Sequence, residues 1–137
     1  MIKPIILGKT EKTPEVILDK DNSVFQISGR SIVENAHEFY NPVLSWFKEY
    51  FKSPNTNTEF VLNIDYLNSS SSLQIMKIIM IFEKNKSNNN LKVIWKHESE
   101  DELSRERGEE LRDSSEIDFE LLIIESDDIE EFSFDFN

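Results

Sequence analysis

A strand pattern followed by a helix pattern in the middle of the chain is the feature that most restricts the fold. In EFVLNIDYL (residues 59–67), bulky apolar side chains recur at every second position, as in a strand with one buried face: Phe60, Leu62, Ile64 and Tyr66. In LQIMKIIMIFEK (73–84), apolar residues recur with the period of a helix and make a broad apolar surface: Leu73, Met76, Ile79, Met80 and Phe82. This succession predicts an α/β fold, in which helices pack on a sheet.

Four further runs rich in β-forming residues extend this pattern. PEVILD (14–19) and SVFQIS (23–28) are separated by a turn-like Lys-Asp-Asn, which predicts an antiparallel hairpin. LKVIW (91–95) and DFELLII (118–124) predict two later strands. The predicted order is β-β-α-β-α-β-α-β, which indicates a sandwich of helices on a mixed sheet of four to five strands.

The helix between the second and third strands has a predicted start and an aromatic face. Ser31 and Glu34 form an S-x-x-E capping pattern, which predicts that the helix begins at Ser31. Pro42 predicts a kink or a split near Tyr40. One predicted face is aromatic and belongs to the core: Ala36, Phe39, Tyr40, Val43, Phe47, Tyr50 and Phe51. A later polar helix, residues 101–113, is predicted to be interrupted at Gly108.

Charge is distributed very unevenly along the 137 residues. Residues 1–97 carry 12 Lys or Arg and 10 Asp or Glu, whereas residues 98–137 carry 3 and 17. An acidic segment repels nucleic acid and anionic lipid, so we expect neither partner and favour a basic protein surface or a cation. We expect one domain over residues 1–124, followed by an acidic tail that contains three Phe residues (125–137).

Several chemistries lack the residues that they need. The chain has no cysteine, which excludes disulfides and thiolate sites and suits a cytoplasmic protein without a signal peptide. His37 and His97 each lack a second ligand at zinc spacing, and the acids of residues 98–110 lack the rhythm of a calcium loop. We therefore expect no metal, no cofactor and no enzymatic activity, and a metal-dependent hydrolase is only a weak alternative.

Two polar clusters precede predicted helices, and each has two interpretations. Gly29-Arg30-Ser31 is either an anion-binding turn or a tight strand-to-helix turn with a capping serine. YLNSSSS (66–72) lies between a strand and a helix predicted from about Leu73, so Asn68 and the serines are placed to cap that helix. Four serines exceed the capping requirement, and a phosphoryl group there would meet the positive end of the helix dipole. The cluster is thus either a cap or a phosphorylation site.

Four segments of the chain form a pattern when they are taken together and in order: TPEVILD (13–19), ISGRSIVENAHEFYNPVLSWFKEY (27–50), YLNSSSS (66–72) and WKHESEDELSRERGEEL (95–111). This pattern resembles the SiaC family of bacterial regulatory phosphoproteins. The resemblance implies a STAS-like α/β protein that binds a partner under the control of phosphorylation. It implies that Ser69 is the phosphoacceptor, with Ser70 as the rival. Ser69 stands where the family usually has Thr, and Val33 stands where it usually has Pro.

The resemblance also implies three protein partners. These are a histidine-kinase-like Ser/Thr kinase, a PP2C-type phosphatase and a diguanylate cyclase that the unmodified form activates, which links the protein to cyclic-di-GMP and biofilm regulation. We expect the partner-binding surface to include the following residues: Gly29, Arg30, Ser31, Glu34, Asn35, Asn68, Ser70 and Ser71. The alternative is a constitutive binding module, or a partner resembling an anti-sigma-factor antagonist, that acts through its acidic C-terminal segment while the serines only cap.

Overall fold

The structure is a computed structural model that describes residues 2–88 and 90–125. Its elements follow the predicted alternation after one additional strand at the start. They are β1 (Ile5–Leu7), β2 (Glu15–Asp19), β3 (Val24–Ser31), α1 (Ala36–Tyr50), β4 (Asn57–Leu67), α2 (Ser69–Lys84), a 3-10 turn (Lys86–Asn88), β5 (Asn90–Glu98), α3 (Glu102–Asp113) and β6 (Asp118–Ile124). None of the described helices is both long and apolar enough to cross a bilayer.

The six strands form one mixed sheet in chain order, β1-β2-β3-β4-β5-β6. The strands β1, β2 and β3 are antiparallel, as the predicted hairpin requires, and β3 to β6 are parallel. The predicted α/β class and mixed sheet are confirmed. The predicted count of four to five strands is wrong, because Ile5–Leu7 adds an edge strand in which Ile6 pairs with Ile17.

All three helices pack on the same face of the sheet. Phe82 of α2 stacks on Phe60 of β4, with ring centroids 5.4 Å apart. Phe60 pairs with Val93 of β5, and Trp95 two residues later donates its indole N–H to the Ser104 carbonyl of α3 at 2.9 Å. Residues two apart on a strand share a face, so α3 lies on the side that α2 covers. Right-handed crossovers that advance in one direction along a sheet produce this single helical layer.

The predicted aromatic face of α1 supplies the centre of the core. Tyr40, Val43 and Phe47 are fully buried, and Tyr50 is 1% exposed. The ring of Phe47 lies 5.3 Å from that of Phe60 and 5.1 Å from that of Phe82, which joins the helices to the sheet. The helix continues through Pro42, so the predicted split is wrong. Glu38, four residues before Pro42, is exposed, where water can hydrate the carbonyl that proline leaves unbonded.

The predicted start of α1 at Ser31 is also wrong. Ser31 is the buried last residue of β3, and its carbonyl accepts a hydrogen bond from the Asn68 amide at 3.1 Å. The helix begins at Ala36, and Asn35 caps it by accepting the Glu38 amide at 3.2 Å. Asn offers the same capping chemistry as Ser. Because β3 continues to Ser31, the helix can begin only after this residue.

A bulge between β3 and β4 changes which residues face the core. Ile64 pairs with Gly29 but Tyr66 pairs with Arg30, so Asp65 is an additional residue in β4. The predicted alternation holds up to Ile64 and fails at Tyr66, which is 57% exposed. Gly29 has a φ of 112°, which favours glycine, and lies with Arg30 inside β3. The tripeptide is therefore not a turn before a helix, as both interpretations assumed, whereas anion binding by Arg30 stays a prediction.

Two helix boundaries differ from the prediction for local reasons. The helix α2 begins at Ser69, four residues before the predicted Leu73, because Asn68 already supplies its cap. The helix α3 runs unbroken through Gly108. A Cβ atom at position 108 would lie 2.5 Å from Cδ1 of Trp95, so glycine serves here as a close-packing residue and does not interrupt the helix.

Candidate functional site

The start of α2 lies at the edge of the sheet where the parallel strands end. Asn68 follows β4 directly and adopts an extended conformation with φ −80° and ψ 170°. Its Oδ1 accepts the Ser71 amide at 2.9 Å, and its carbonyl accepts the Ser72 amide at 2.9 Å. Asn68 is therefore a complete N-cap, and the four serines form the first turn of the helix.

Asn68 also attaches this helix start to the segment that follows β3. Its Nδ2 donates to the Val33 carbonyl at 3.1 Å, and its backbone amide donates to the Ser31 carbonyl. Glu34 and Asn35 are exposed on that segment. The structure thus brings the predicted site residues 31–35 and 68–71 together, although about 35 residues separate them in the sequence.

Three buried hydroxyl groups, linked by hydrogen bonds, lie between the start of α2 and the core. The Ser31 Oγ donates to the Ser71 Oγ at 2.9 Å and lies 2.7 Å from the Tyr40 hydroxyl. All three side chains are fully buried. Burial raises the pKa of Tyr40 to about 12, against the opposing effect of its hydrogen bond with Ser31, so the phenol stays neutral. Ser31 and Ser71 therefore have a supporting position beneath the surface that partners can reach.

Only part of the serine cluster presents its hydroxyls to solvent. Ser69 and Ser70 are exposed, whereas Ser71 is buried. The Ser70 Oγ donates to Asn68 Oδ1 over a long 3.4 Å, and the Ser69 hydroxyl forms no hydrogen bond with any residue in the described ranges. The Ser69 and Ser70 amides have no carbonyl partner within the helix, and the positive end of the helix dipole at this position favours negative charge.

A small groove beside Asn68 was not predicted from the sequence. It has a volume of ≈ 160 Å³, and its lining includes Ile32, Tyr66, Asn68, Leu103 and Arg107. Tyr66 and Leu103 are 57% and 62% exposed, and the Arg30 guanidinium lies 4.9 Å from the centroid of the Tyr66 ring. Leu103 was visible as an isolated apolar residue in an acidic segment, but Tyr66 reaches this groove only because of the bulge.

The outer surface of α2 carries a second apolar stripe. Its predicted apolar surface divides into residues that pack on the sheet, among them Ile79 and Phe82, and residues that do not. Leu73, Met76 and Met80 are 52%, 39% and 49% exposed. They follow Ser69 at steps of four, three and four residues and so share its side of the helix. Lys77 and Lys84 are exposed beside them, and we call these five residues from 73 to 84 the α2 face.

Other predicted residues lie apart from this site. Within the described ranges, no three His, Asp or Glu side chains are placed to hold a metal ion. His97 is buried in β5, with its Nδ1 2.9 Å from the Glu98 carbonyl. Of the acidic tail, Glu125 is exposed and residues 126–137 lie outside the described residues.

Comparisons with known proteins agree with this fold. An uncharacterized protein of Pseudomonas aeruginosa (strain UCBPP-PA14) is 25% identical over 113 residues, which are 82% of this chain and 90% of that protein. A solved structure of SiaC of Pseudomonas aeruginosa has a TM-score of 0.81 at 22% identity and covers 90% of this chain and 100% of that chain.

A second solved structure is the crystal structure of the diguanylate cyclase SiaD of Pseudomonas aeruginosa in complex with its activator SiaC. The matched chain has a TM-score of 0.81 at 23% identity and covers 88% of this chain and 99% of that chain. At these identities the structural likeness shows a common fold. The family described as SiaC family regulatory phosphoprotein matches residues 7–124. The chain therefore belongs to the SiaC family of regulatory phosphoproteins.

Proposed function

We propose that this protein is a non-enzymatic signalling switch that binds and activates a diguanylate cyclase, and that phosphorylation of Ser69 controls the binding. The observation that carries the proposal is the exposed Ser69 hydroxyl at the capped start of α2, between the groove and the α2 face. Membership of a family of regulatory phosphoproteins supports a phosphorylated site. The complex of SiaD with its activator SiaC supports the cyclase as the class of effector.

Ser69 is the better acceptor within the cluster for geometric reasons. Ser71 is buried under the helix, so a kinase cannot reach its hydroxyl without opening the first turn. Ser70 is exposed, but its hydroxyl already donates to the Asn68 side chain. Ser69 is exposed, so its hydroxyl oxygen can accept a phosphoryl group and its hydroxyl proton can leave. A histidine-kinase-like Ser/Thr kinase would move the γ-phosphoryl group of ATP to the Ser69 Oγ, with loss of the hydroxyl proton and release of ADP.

The phosphoryl group acts through surface charge. It adds about −1.5 to −2 charges at one exposed point, and the helix dipole stabilises them there. The cap by Asn68 and the Ser31–Ser71 hydrogen bond hold the helix start in place, so the domain keeps its fold. An effector surface that fits a neutral hydroxyl beside apolar side chains then binds poorly. A PP2C-type phosphatase would restore binding by hydrolysing the phosphoester and releasing inorganic phosphate.

The first test identifies the modified residue. Wild type, Ser69→Ala and Ser70→Ala are incubated with ATP and the kinase, and intact-mass spectrometry with peptide mapping follows. We expect one phosphoryl group on wild type and on Ser70→Ala, and none on Ser69→Ala. An added group on Ser69→Ala that vanishes in Ser70→Ala would transfer the role to Ser70.

The second test measures the effect on the cyclase. Cyclic-di-GMP synthesis is followed with unmodified protein, phosphoprotein, Ser69→Ala and Ser69→Asp. We expect activation by the unmodified protein and by Ser69→Ala, and its loss with the two negatively charged forms. Equal binding of all four forms to the cyclase would exclude the charge mechanism. Absence of binding by any form would mean that the effector belongs to another class.

A further inference from the structure

The α2 face has the composition of a binding surface. Three large apolar side chains, Leu73, Met76 and Met80, are each between 39% and 52% exposed, although most large apolar residues of the described chain are buried. Unbranched methionines adapt their shape to a partner at low cost. A continuous apolar stripe on a helix that already has a buried face therefore indicates an occupant.

The charge of this helix indicates the chemistry of that occupant. Lys77 and Lys84 are exposed next to the stripe, and the positive end of the helix dipole lies at Ser69. The carboxylate of Glu83, on the other side of the stripe, accepts the Glu116 amide at 3.0 Å. Apolar side chains flanked by lysines fit a segment that is both apolar and acidic.

The C-terminal sequence of this chain has that composition. Residues 126–137 contain five Asp or Glu and no Lys or Arg. Apolar side chains are interspersed among the acids: Ile129, Phe132, Phe134 and Phe136. The tail thus complements the α2 face in both charge and hydrophobicity.

The path from the last strand to the α2 face is short enough for the tail. The strands β4 to β6 are parallel, so Ile124 ends at the edge of the sheet where α2 begins, about 10 Å away across two strand spacings. From Ser69 to Met80 the helix advances about 17 Å. Twelve extended residues span about 40 Å, so residues 126–137 reach the whole stripe.

The surface nearest to the start of the tail is a poorer site. Ile124 pairs with Glu98, and Glu100 and Asp101 follow at the same edge, where they repel an acidic segment. The groove beside Asn68 includes Arg107, and the neighbouring cleft is lined by two bases, Arg30 and Lys96, and by four acids: Asp65, Glu98, Glu100 and Asp101. The α2 face offers two lysines and three exposed apolar side chains, whereas the groove has two large exposed apolar side chains, Tyr66 and Leu103.

We propose that the acidic tail docks on the α2 face of its own chain and covers Leu73, Met76 and Met80. Docking there competes with any protein partner that uses this face, so the tail is an autoinhibitory element. A phosphoryl group on Ser69 would place like charge at the first position of the stripe and weaken the contact. The docking itself does not depend on the proposed phosphorylation, and unmodified protein suffices to test it.

The absence of cysteine makes a spin-label experiment possible on the full chain. A nitroxide is attached to Ser133→Cys, and amide signal intensities of the ¹⁵N-labelled protein are compared before and after reduction of the label. We expect loss of most amide intensity over residues 73–80. The double variant Lys77→Glu with Lys84→Glu should restore it, whereas Lys9→Glu with Lys48→Glu, an equal charge change at exposed sites elsewhere, should not.

Four results would overturn the proposal. Signal loss at Tyr66 and Leu103 would place the tail in the groove, and signal loss that is even over the surface would mean that the tail has no docking site. If the amide signals of residues 73–80 are still lost in the double variant Lys77→Glu with Lys84→Glu, charge complementarity between the tail and the α2 face is excluded. If the amide signals are lost only when the nitroxide and the ¹⁵N label are on different chains, the segment bound to the α2 face belongs to a second copy of the protein. None of these results changes which serine a kinase modifies, so failure here is distinct from failure of the proposed switch.

Discussion

The Oγ atoms of Ser31 and Ser71 lie 2.9 Å apart in the core, although 40 residues separate them in the sequence. This hydrogen bond joins the end of β3 to the first turn of α2, two residues after the proposed phosphoacceptor. Ser31 also pairs with the Tyr40 hydroxyl at 2.7 Å, so one serine connects three elements of the fold. The position of Ser69 is thereby held by the core.

We expect Ser71→Ala to destabilise the protein by about 1–2 kcal/mol, because it removes a buried hydrogen bond while Ser31 keeps its contact with Tyr40. Urea unfolding followed by fluorescence measures the change. Ser69→Ala is the matched control on the same turn, and as an exposed substitution it should change the free energy of unfolding by less than about 0.5 kcal/mol. Equal effects of the two variants would contradict the supporting role of Ser71.

Asn68→Ala should cost about 1–2 kcal/mol for the lost cap and more for the lost bond to the Val33 carbonyl. Asn68→Asp keeps an oxygen that can accept the Ser71 amide but loses the donor to Val33. We therefore expect its stability to lie between those of wild type and Asn68→Ala. Thermal unfolding of the three proteins at the same pH ranks them, and an Asp variant as unstable as the Ala variant would show that the cap contributes little.

Gly108→Ala should destabilise the protein even though alanine is the better helix former. The added Cβ would lie 2.5 Å from Trp95 Cδ1, and Trp95 is only 1% exposed and hydrogen-bonded to Ser104. Overpacking of this kind costs about 1–3 kcal/mol, against about 1 kcal/mol gained in helix propensity. Glu106→Ala, at an exposed position on the same helix, should be nearly neutral. A more stable Gly108→Ala would mean that Trp95 can move aside.

The raised pKa of Tyr40 predicts a loss of stability in alkaline solution. Its pKa is about 12 in the folded protein and 10.0 for the ordinary group, so the unfolded chain ionises first. The contribution of Tyr40 is complete well below pH 10 and decreases by about 2 kcal/mol as the pH rises to 12.

The control for this prediction is Tyr40→Phe, which has no phenol to ionise. Lysines and other tyrosines titrate in the same range, so the informative quantity is the difference in unfolding free energy between wild type and variant at pH 9, 10 and 11. We expect the stability of wild type to fall faster than that of Tyr40→Phe. Parallel curves would mean that the phenolate is accommodated without cost.

Local patterns were sufficient to predict most of the elements. The alternation of apolar residues identified β4, and runs of β-forming residues identified the other four predicted strands, of which the run from Asp118 to Ile124 was predicted with its observed bounds. The aromatic side of α1 was predicted in the same way, because helical period and burial follow from neighbouring residues. Ser69 was singled out by the resemblance of YLNSSSS and three other segments to a family, since physical reasoning alone left a cap and a phosphorylation site both open.

The groove and the surface stripe could not be predicted, because they depend on contacts between distant segments. The bulge that exposes Tyr66 arises from the pairing of β3 with β4, and Ser31 stays in the sheet because Asn68 bonds to its carbonyl. The sequence of α2 has apolar residues on two sides, and packing on the sheet selects which of them are buried. Local propensity thus accounts for the elements of this protein, whereas burial and long-range hydrogen bonds assign each side chain to the core or to the surface where partners bind.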